Sequence, residues 1–389
     1  MSLKQRLSAN GPKRILALDG GGIRGALTMG YLERIEDILR EQHGNDPDFR
    51  LCDYFDLIGG TSTGSIIASC LAIGMKASDI KDMYLELGGK IFAKKYKWWN
   101  IFQVDDFIKA AYDEKPLEER LQKVFEDITI GDDQRIKTGL CVVAKRADTN
   151  SVWPIINHPD GKYFNSAEGK NKDILLWKAV RASSAAPTYF LPQIIDVGGG
   201  MSEAAFVDGG VSMANNPALQ LLMVATLKGF PFHWPWGKDN ILLVSVGTGM
   251  SKWKALPKKI QKNNILNWAS QLPDMLMQDA SWQNQLILQW LSNSPTAYVI
   301  DGEIGNLGND LIGREKNDAY LSYLRYNMWI DNETLSPLTG KQYSQKDLDN
   351  LTEMSNAESR FELHDIGVKA AAKEISKDHF PDLFKIKKP

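Results

Sequence analysis

Cysteine is scarce: Cys52, Cys70 and Cys141 are the only three in 389 residues. An odd number, in apolar contexts and without metal-type spacing, excludes a disulfide framework and predicts reduced, non-catalytic thiols in a cytosolic setting. Charge excess of either sign is also lacking, since 46 Lys and Arg face 48 Asp and Glu for a formal net charge of -2. That balance argues against a nucleic acid polymer as partner and against broad attraction to anionic membrane, while leaving room for local patches. The N-terminal stretch "MSLKQRLSANGPKRILALDGGG" lacks the apolar core and cleavage site of a secretory signal. The uncharged run Leu57 to Met75 is mostly Gly, Thr and Ser in its first half, which suits a buried strand, turn and helix better than a span of ~20 apolar residues. No repeat, low-complexity tract or Pro/Gly/Ser-rich linker interrupts the chain. With 43% hydrophobic and 24% charged residues, a soluble, cytoplasmic globular protein with a sizeable core is expected.

What is present is a repeated local grammar. "KRILALDGGG" reads as a strand entering a glycine loop, and "GALTMGYLERIEDILREQ" follows as a helix with Leu27, Tyr31, Leu32, Ile35, Ile38 and Leu39 on one face. "YFDLIGG", "TSTG" and "SIIASCLAIG" repeat the sequence of strand, turn and buried helix. Two such units predict an α/β fold with a mostly parallel sheet covered by helices. Further strands are expected at "TGLCVVAKR", "SVWPIIN", "AAFVDGG" and "NILLVSVGTG", and helices at "PLEERLQKVFED", "DILLWKAVRASS" and "NPALQLLMVATLKG". After about Ser251 the pattern changes to a long Trp- and Gln-rich helix, a strand pair around "TAYVIDGE" and "YLSYLRYNMWI", and C-terminal helices. Residues 1–250 are therefore read as a core, and 251–389 as an extension packed on it.

Two glycine loops carry the candidate chemistry. Gly60-Thr61-Ser62-Thr63-Gly64 fits G-x-S-x-G between strand and helix, the setting of a nucleophile elbow in which glycines relieve crowding and Ser62 is held outward at a helix N-terminus. An ordinary Gly/Ser turn is the competing reading. Asp19-Gly20-Gly21-Gly22-Ile23-Arg24-Gly25 contains G-x-G-x-x-G, but the acidic residue that dinucleotide binding wants about 20 positions later does not end a strand here. Consecutive glycine N–H groups also suit an oxyanion hole. Arg24 would hold this loop or a phosphate-bearing substrate, or simply meet a carboxylate at the surface. For a base, the five histidines, His43, His158, His233, His364 and His379, compete with Asp208, which ends the apolar strand of "AAFVDGG" ahead of Gly209 and Gly210. A capping aspartate in a turn is the alternative for Asp208.

"DGGGIRG", "GTSTG", "ASSAAPTYF" and "VDGGVSMANNP", in that order, resemble the patatin-like phospholipase family over roughly the first 250 residues. The resemblance implies a three-layer sandwich around a mostly parallel sheet, with a Ser-Asp dyad and no catalytic histidine. Carried over, Ser62 is the nucleophile and Asp208 the base. Gly20, Gly21 and Gly22, with the N–H groups of Ile23 and Arg24, form the oxyanion hole, and Gly25, Gly60, Gly64, Gly209 and Gly210 shape the motifs. The implied activity is acyl-ester hydrolysis of phospholipids, with no cofactor required for the chemistry. Apolar walls from "SIIASCLAIG" and "AAPTYFLP" would raise the proton affinity of Asp208 and hold the acyl chain.

A lipid substrate implies transient contact with a phospholipid membrane surface. "FAKKYKWWNIF", with Trp98 and Trp99, is the first candidate for that contact and "FPFHWPWG" the second. The overall appearance is also similar to bacterial patatin-like effectors of anti-phage defence, which implies a cyclic dinucleotide as activator. Oligomeric state is left open. A non-catalytic storage or scaffold protein on the same fold, or a nucleotide-binding module using Gly20 to Gly25, is the alternative class.

Overall fold

The computed structural model describes residues 2–91, 113–187, 189–198, 203–251, 257–261, 264–297, 311–312 and 318–386. Its centre is a nine-stranded sheet of β1 (Lys13–Leu18), β2 (Leu57–Thr61), β3 (Gly139–Arg146), β4 (Ser151–Ile156), β5 (Gln193–Asp196), β6 (Glu203–Asp208), β7 (Ile241–Val246), β8 (Ser292–Asn293) and β9 (Leu321–Tyr326). The pairs β3–β2, β2–β1, β1–β7, β7–β9 and β9–β8 are parallel. Those of β4 and β6 with β3, and of β5 with β6, are antiparallel.

The central strands read as continuous apolar runs because both of their faces are covered. Leu16, Leu18, Ile58, Val142 and Val244 enter one core with helices α1 (Gly25–Gln42), α2 (Thr63–Ala72), α3 (Ala77–Ile91), α4 (Leu176–Ser183) and, from the far end of the chain, α7 (Arg360–Glu374). Ile15, Ala17, Leu57, Val143 and Leu243 enter a second core with α5 (Ala218–Thr226) and Leu288 of α6 (Ile265–Trp290). Period-two alternation thus assigns neighbouring residues to opposite layers, giving helices, sheet and helices in three layers. Leu27, Tyr31, Leu32, Ile35, Ile38 and Leu39 are all buried.

Strand register brings the loops together. Leu18 pairs with Gly60 on one side and Val246 on the other, so the loops after β1, β2 and β7 emerge at one end of the sheet. On β3, residues 141–146 carry β4 along one edge. The other edge is shared: β2 occupies it as far as Val143, opposite Thr61, and β6 takes over at Ala144, opposite Asp208. Since β2 runs parallel to β3 and β6 antiparallel, the C-terminal ends of β2 and β6 meet head to head.

Two expectations change. Residues 298–303 of the "TAYVIDGE" strand lie outside the described residues, and the strand beside β9 is the two-residue β8. β5 was not anticipated from sequence, being four residues long with a single buried side chain, Ile195.

Candidate active site

Ser62 leaves β2 at φ 54° and ψ -125°, a conformation that costs a residue with a side chain ~1–3 kcal/mol. The neighbours hold it there. The Ser62 N–H donates to Ser183 Oγ at 2.9 Å, which itself donates to the Val143 carbonyl at 2.6 Å. The Ser62 carbonyl accepts from the Ser65 N–H at 2.8 Å and from Ser65 Oγ at 2.6 Å. Both motif glycines are required by close approach: a Cβ on Gly60 would lie 2.6 Å from Ser65 N, and one on Gly64 would lie 2.7 Å from the Asp19 carbonyl oxygen. The two threonines tie the elbow to its surroundings, Thr61 Oγ1 donating to the Ala214 carbonyl at 2.5 Å and Thr63 Oγ1 to that of Gly22 at 2.9 Å.

Asp208 is buried, and its N–H donates to the Ala185 carbonyl at 2.9 Å. Its Oδ1 accepts from the Gly210 N–H at 2.7 Å, so it does cap the turn Gly209–Val211. The Ser62 side chain acts on this carboxylate in the direction that lowers its proton affinity. Burial pushes the Asp208 carboxyl up to about 6, and the hydrogen bonds from Ser62 and Gly210 oppose that rise. The capping reading is thus met by Asp208.

Every histidine is engaged elsewhere. His43 bridges the Leu39 carbonyl and the Ile386 N–H, and His158 accepts from the Asp160 N–H. His233 meets the Lys228 carbonyl, His364 the Glu33 carboxylate and His379 the Tyr326 hydroxyl.

Within the glycine loop the N–H groups divide. Gly20 donates to the Asn215 carbonyl at 3.0 Å, Ile23 to that of Met354 at 2.8 Å and Arg24 to that of Gly21 at 3.2 Å. The N–H groups of Gly21 and Gly22 have no partner among the described residues. Both are aimed, because a trans peptide points its N–H opposite its carbonyl. The Gly20 carbonyl accepts from Thr248 Oγ1 at 3.1 Å, and the Gly21 carbonyl from the Arg24 N–H and from Arg24 Nε at 3.4 Å. The hydroxyls of Thr63 and Tyr84, the latter on α3, fix the next carbonyl, that of Gly22. Gly25 opens α1 against Thr63 and Tyr84.

The patatin-like phospholipase family model matches residues 16–222, a stretch that includes Ser62, Asp208 and the glycine loop. The chain belongs to the patatin-like phospholipase family. Patatin-like protein 2 of Arabidopsis thaliana is 34% identical over 279 residues, 65% of this chain and 64% of that protein. A cGAMP-activated phospholipase of Vibrio cholerae is 31% identical over 259 residues, 64% of this chain and 67% of that protein. A cGAMP-activated phospholipase of Escherichia coli is 26% identical over 350 residues, 87% of this chain and 86% of that protein. The matched stretch thus spans just under two thirds of the Arabidopsis protein and more of the two bacterial ones.

In this patatin-like chain the second candidate for lipid contact is corrected. Within "FPFHWPWG", Phe232 and Trp234 are buried and Trp234 Nε1 donates to the Leu7 carbonyl. The segment precedes β7 at the end of the sheet away from Ser62, and leaves Trp236 as its exposed tryptophan. "FAKKYKWWNIF", with Trp98 and Trp99, lies outside the described residues. Sequence reasoning did not single out Ser183, Asn215, Thr248 or Tyr84. Their signal is present only as Ser and Asn letters inside "ASSAAPTYF" and "VSMANNP" and as the Thr of "SVGTG". Among the described residues no helix is long and apolar enough to cross a membrane.

The elbow geometry makes a direct prediction. Gly64→Ala forces the start of α2 away from the Asp19 carbonyl and displaces Ser62, so its labelling by a fluorophosphonate should slow by roughly 10²-fold while far-UV circular dichroism is retained. Labelling at the wild-type rate would show that the close approach is not needed.

Proposed function

We propose that this chain is a lipid acyl hydrolase that cleaves fatty-acyl ester bonds of membrane phospholipids through Ser62 and Asp208. The observation that carries this reading is that β2, whose last residue precedes Ser62, and β6, which ends in the buried Asp208, reach consecutive positions of β3, while every histidine is bonded to other groups. Asp208 takes the hydroxyl proton as Ser62 Oγ attacks the ester carbonyl. The oxyanion of the tetrahedral intermediate is met by the N–H groups of Gly21 and Gly22, the two members of the glycine loop not committed to the protein. Gly20, Ile23 and Arg24 hold the loop instead. Collapse breaks the ester C–O bond, and the leaving alkoxide receives the proton from Asp208. Water, deprotonated by Asp208, then attacks the acyl-serine and releases the fatty acid, and Ser62 regains its proton. No cofactor enters these steps.

Apolar surroundings support a lipid substrate. The helix after Ser62 is buried along its length, and Val211 and Met213, in and just after the turn that Asp208 caps, are exposed. We read residues 1–250 as the catalytic core and 251–389 as an extension on the same core, in a cytoplasmic protein acting transiently at the membrane surface. The names of the Vibrio cholerae and Escherichia coli relatives support extending cyclic-dinucleotide activation, and with it a role in anti-phage defence, to this chain.

Mass spectrometry of lipid products should show Ser62→Ala and Asp208→Asn slowed by at least ~10³-fold while each single His→Ala variant keeps wild-type turnover. A folded but inactive histidine variant would replace the dyad by a triad. Isothermal titration with a panel of cyclic dinucleotides, paired with the same lipid assay, should find one that binds and raises turnover. Hydrolysis that is independent of every member would remove the regulatory part.

A further inference from the structure

The glycine loop is held from behind by a strand that lies far along the chain. Asp19, the residue between β1 and Gly20, is buried and receives both terminal nitrogens of Arg325, at 2.8 Å on Oδ1 and 2.5 Å on Oδ2. Arg325 comes from β9 and is 3% exposed. The same guanidinium donates to Ser245 Oγ on β7 at 2.7 Å. Two residues on, Asn327 Oδ1 accepts from the Gly249 N–H at 2.8 Å and so fixes the turn that presents Thr248. Thr248 in turn fixes the Gly20 carbonyl, which sets the direction of the Gly21 N–H.

Two effects follow from this arrangement. A fork of two parallel hydrogen bonds fixes orientation as well as distance, so Asp19 cannot pivot and carry Gly20 with it. The pair also cancels a charge: an uncompensated carboxylate next to Gly20 would repel the oxyanion that the loop is there to receive. A buried ion pair is a weak device for stability alone, because desolvation offsets much of its attraction. Its place against this loop gives it another use.

We propose that Arg325 is a positioning residue for the oxyanion loop, acting through Asp19. The inference rests on the hydrolase reading above. It is tested with Arg325→Gln and Arg325→Lys in the full-length protein, assayed on 4-nitrophenyl butyrate with Ser62→Ala alongside. Arg325→Gln should lower kcat by ~10²-fold, the effect of losing one oxyanion donor, with KM unchanged. Arg325→Lys, which keeps the charge but not the fork, should fall between Gln and wild type. In both variants the acidic limb of the pH–rate profile, which reports Asp208, should stay where it is in wild type. A global structural defect would move that limb and KM as well. Wild-type kcat in folded Arg325→Gln overturns the proposal, as does a displaced acidic limb or failure of both variants to fold, which would assign the pair to stability. If Ser62→Ala hydrolyses the ester as fast as wild type, the hydrolase reading itself fails, whatever the Arg325 variants do.

Discussion

β2 and β6 run head to head along one edge of β3, and the site depends on that constraint. Thr61 pairs with Val143 and Asp208 with Ala144, so the last residues of two strands are placed at consecutive positions of a third. Hydrogen-bond register, rather than side-chain flexibility, brings Ser62 and Asp208 together. A serine and a carboxylate on opposed strand ends are held by the two backbones themselves. The supporting contacts then refine the geometry: Ser183 fixes the Ser62 peptide to β3, and Ala185 fixes that of Asp208.

The electrostatics follow from the same placement. A carboxylate in water is too weak a base to take a serine proton effectively, and in the proposed mechanism burial at the meeting of the strands removes that obstacle by disfavouring the charged form. With its proton affinity raised from 3.8 to about 6, Asp208 is still ionised at neutral pH. The folded state binds this proton more tightly than the unfolded chain, so Asp208 alone makes the fold lose stability as pH rises from about 4 to about 6, a cost on the order of 3 kcal/mol. Two hydrogen bonds, from Ser62 and Gly210, keep that cost from being larger. In the proposed mechanism, a base that is ready at neutral pH is thereby obtained without a histidine, against the stability of the fold.

Much of this was legible in short windows of sequence. The two strand–loop–helix units and the buried face of the first helix follow from periodicity and glycine placement, because strands and helices are local, whereas the choice of Ser62 and Asp208 over the turn and histidine readings came with the resemblance of four ordered motifs. The division of labour inside "DGGGIRG" was not, since all five N–H groups look equivalent in sequence and their partners, Asn215 and Met354 from distant segments and Gly21 within the loop, tell them apart. Arg325 was invisible for the same reason, being 306 positions from Asp19. The aromatic run "FPFHWPWG" misled by composition: Trp234 packs beside Lys13 and Leu7 at the far end of the sheet, and composition carries no information about which end a loop occupies. The short strand β5 was missed because too few of its residues are buried to show a pattern.

That a carboxylate, and no histidine, takes the proton of Ser62 is tested most directly by the pH dependence of Ser62 phosphonylation. The rate of fluorophosphonate labelling should rise with pH to a plateau, through an inflection at about 6 set by Asp208. In Asp208→Asn the rate should be low and carry no such inflection. An inflection that persists in Asp208→Asn and vanishes in one of the His→Ala variants would contradict the account.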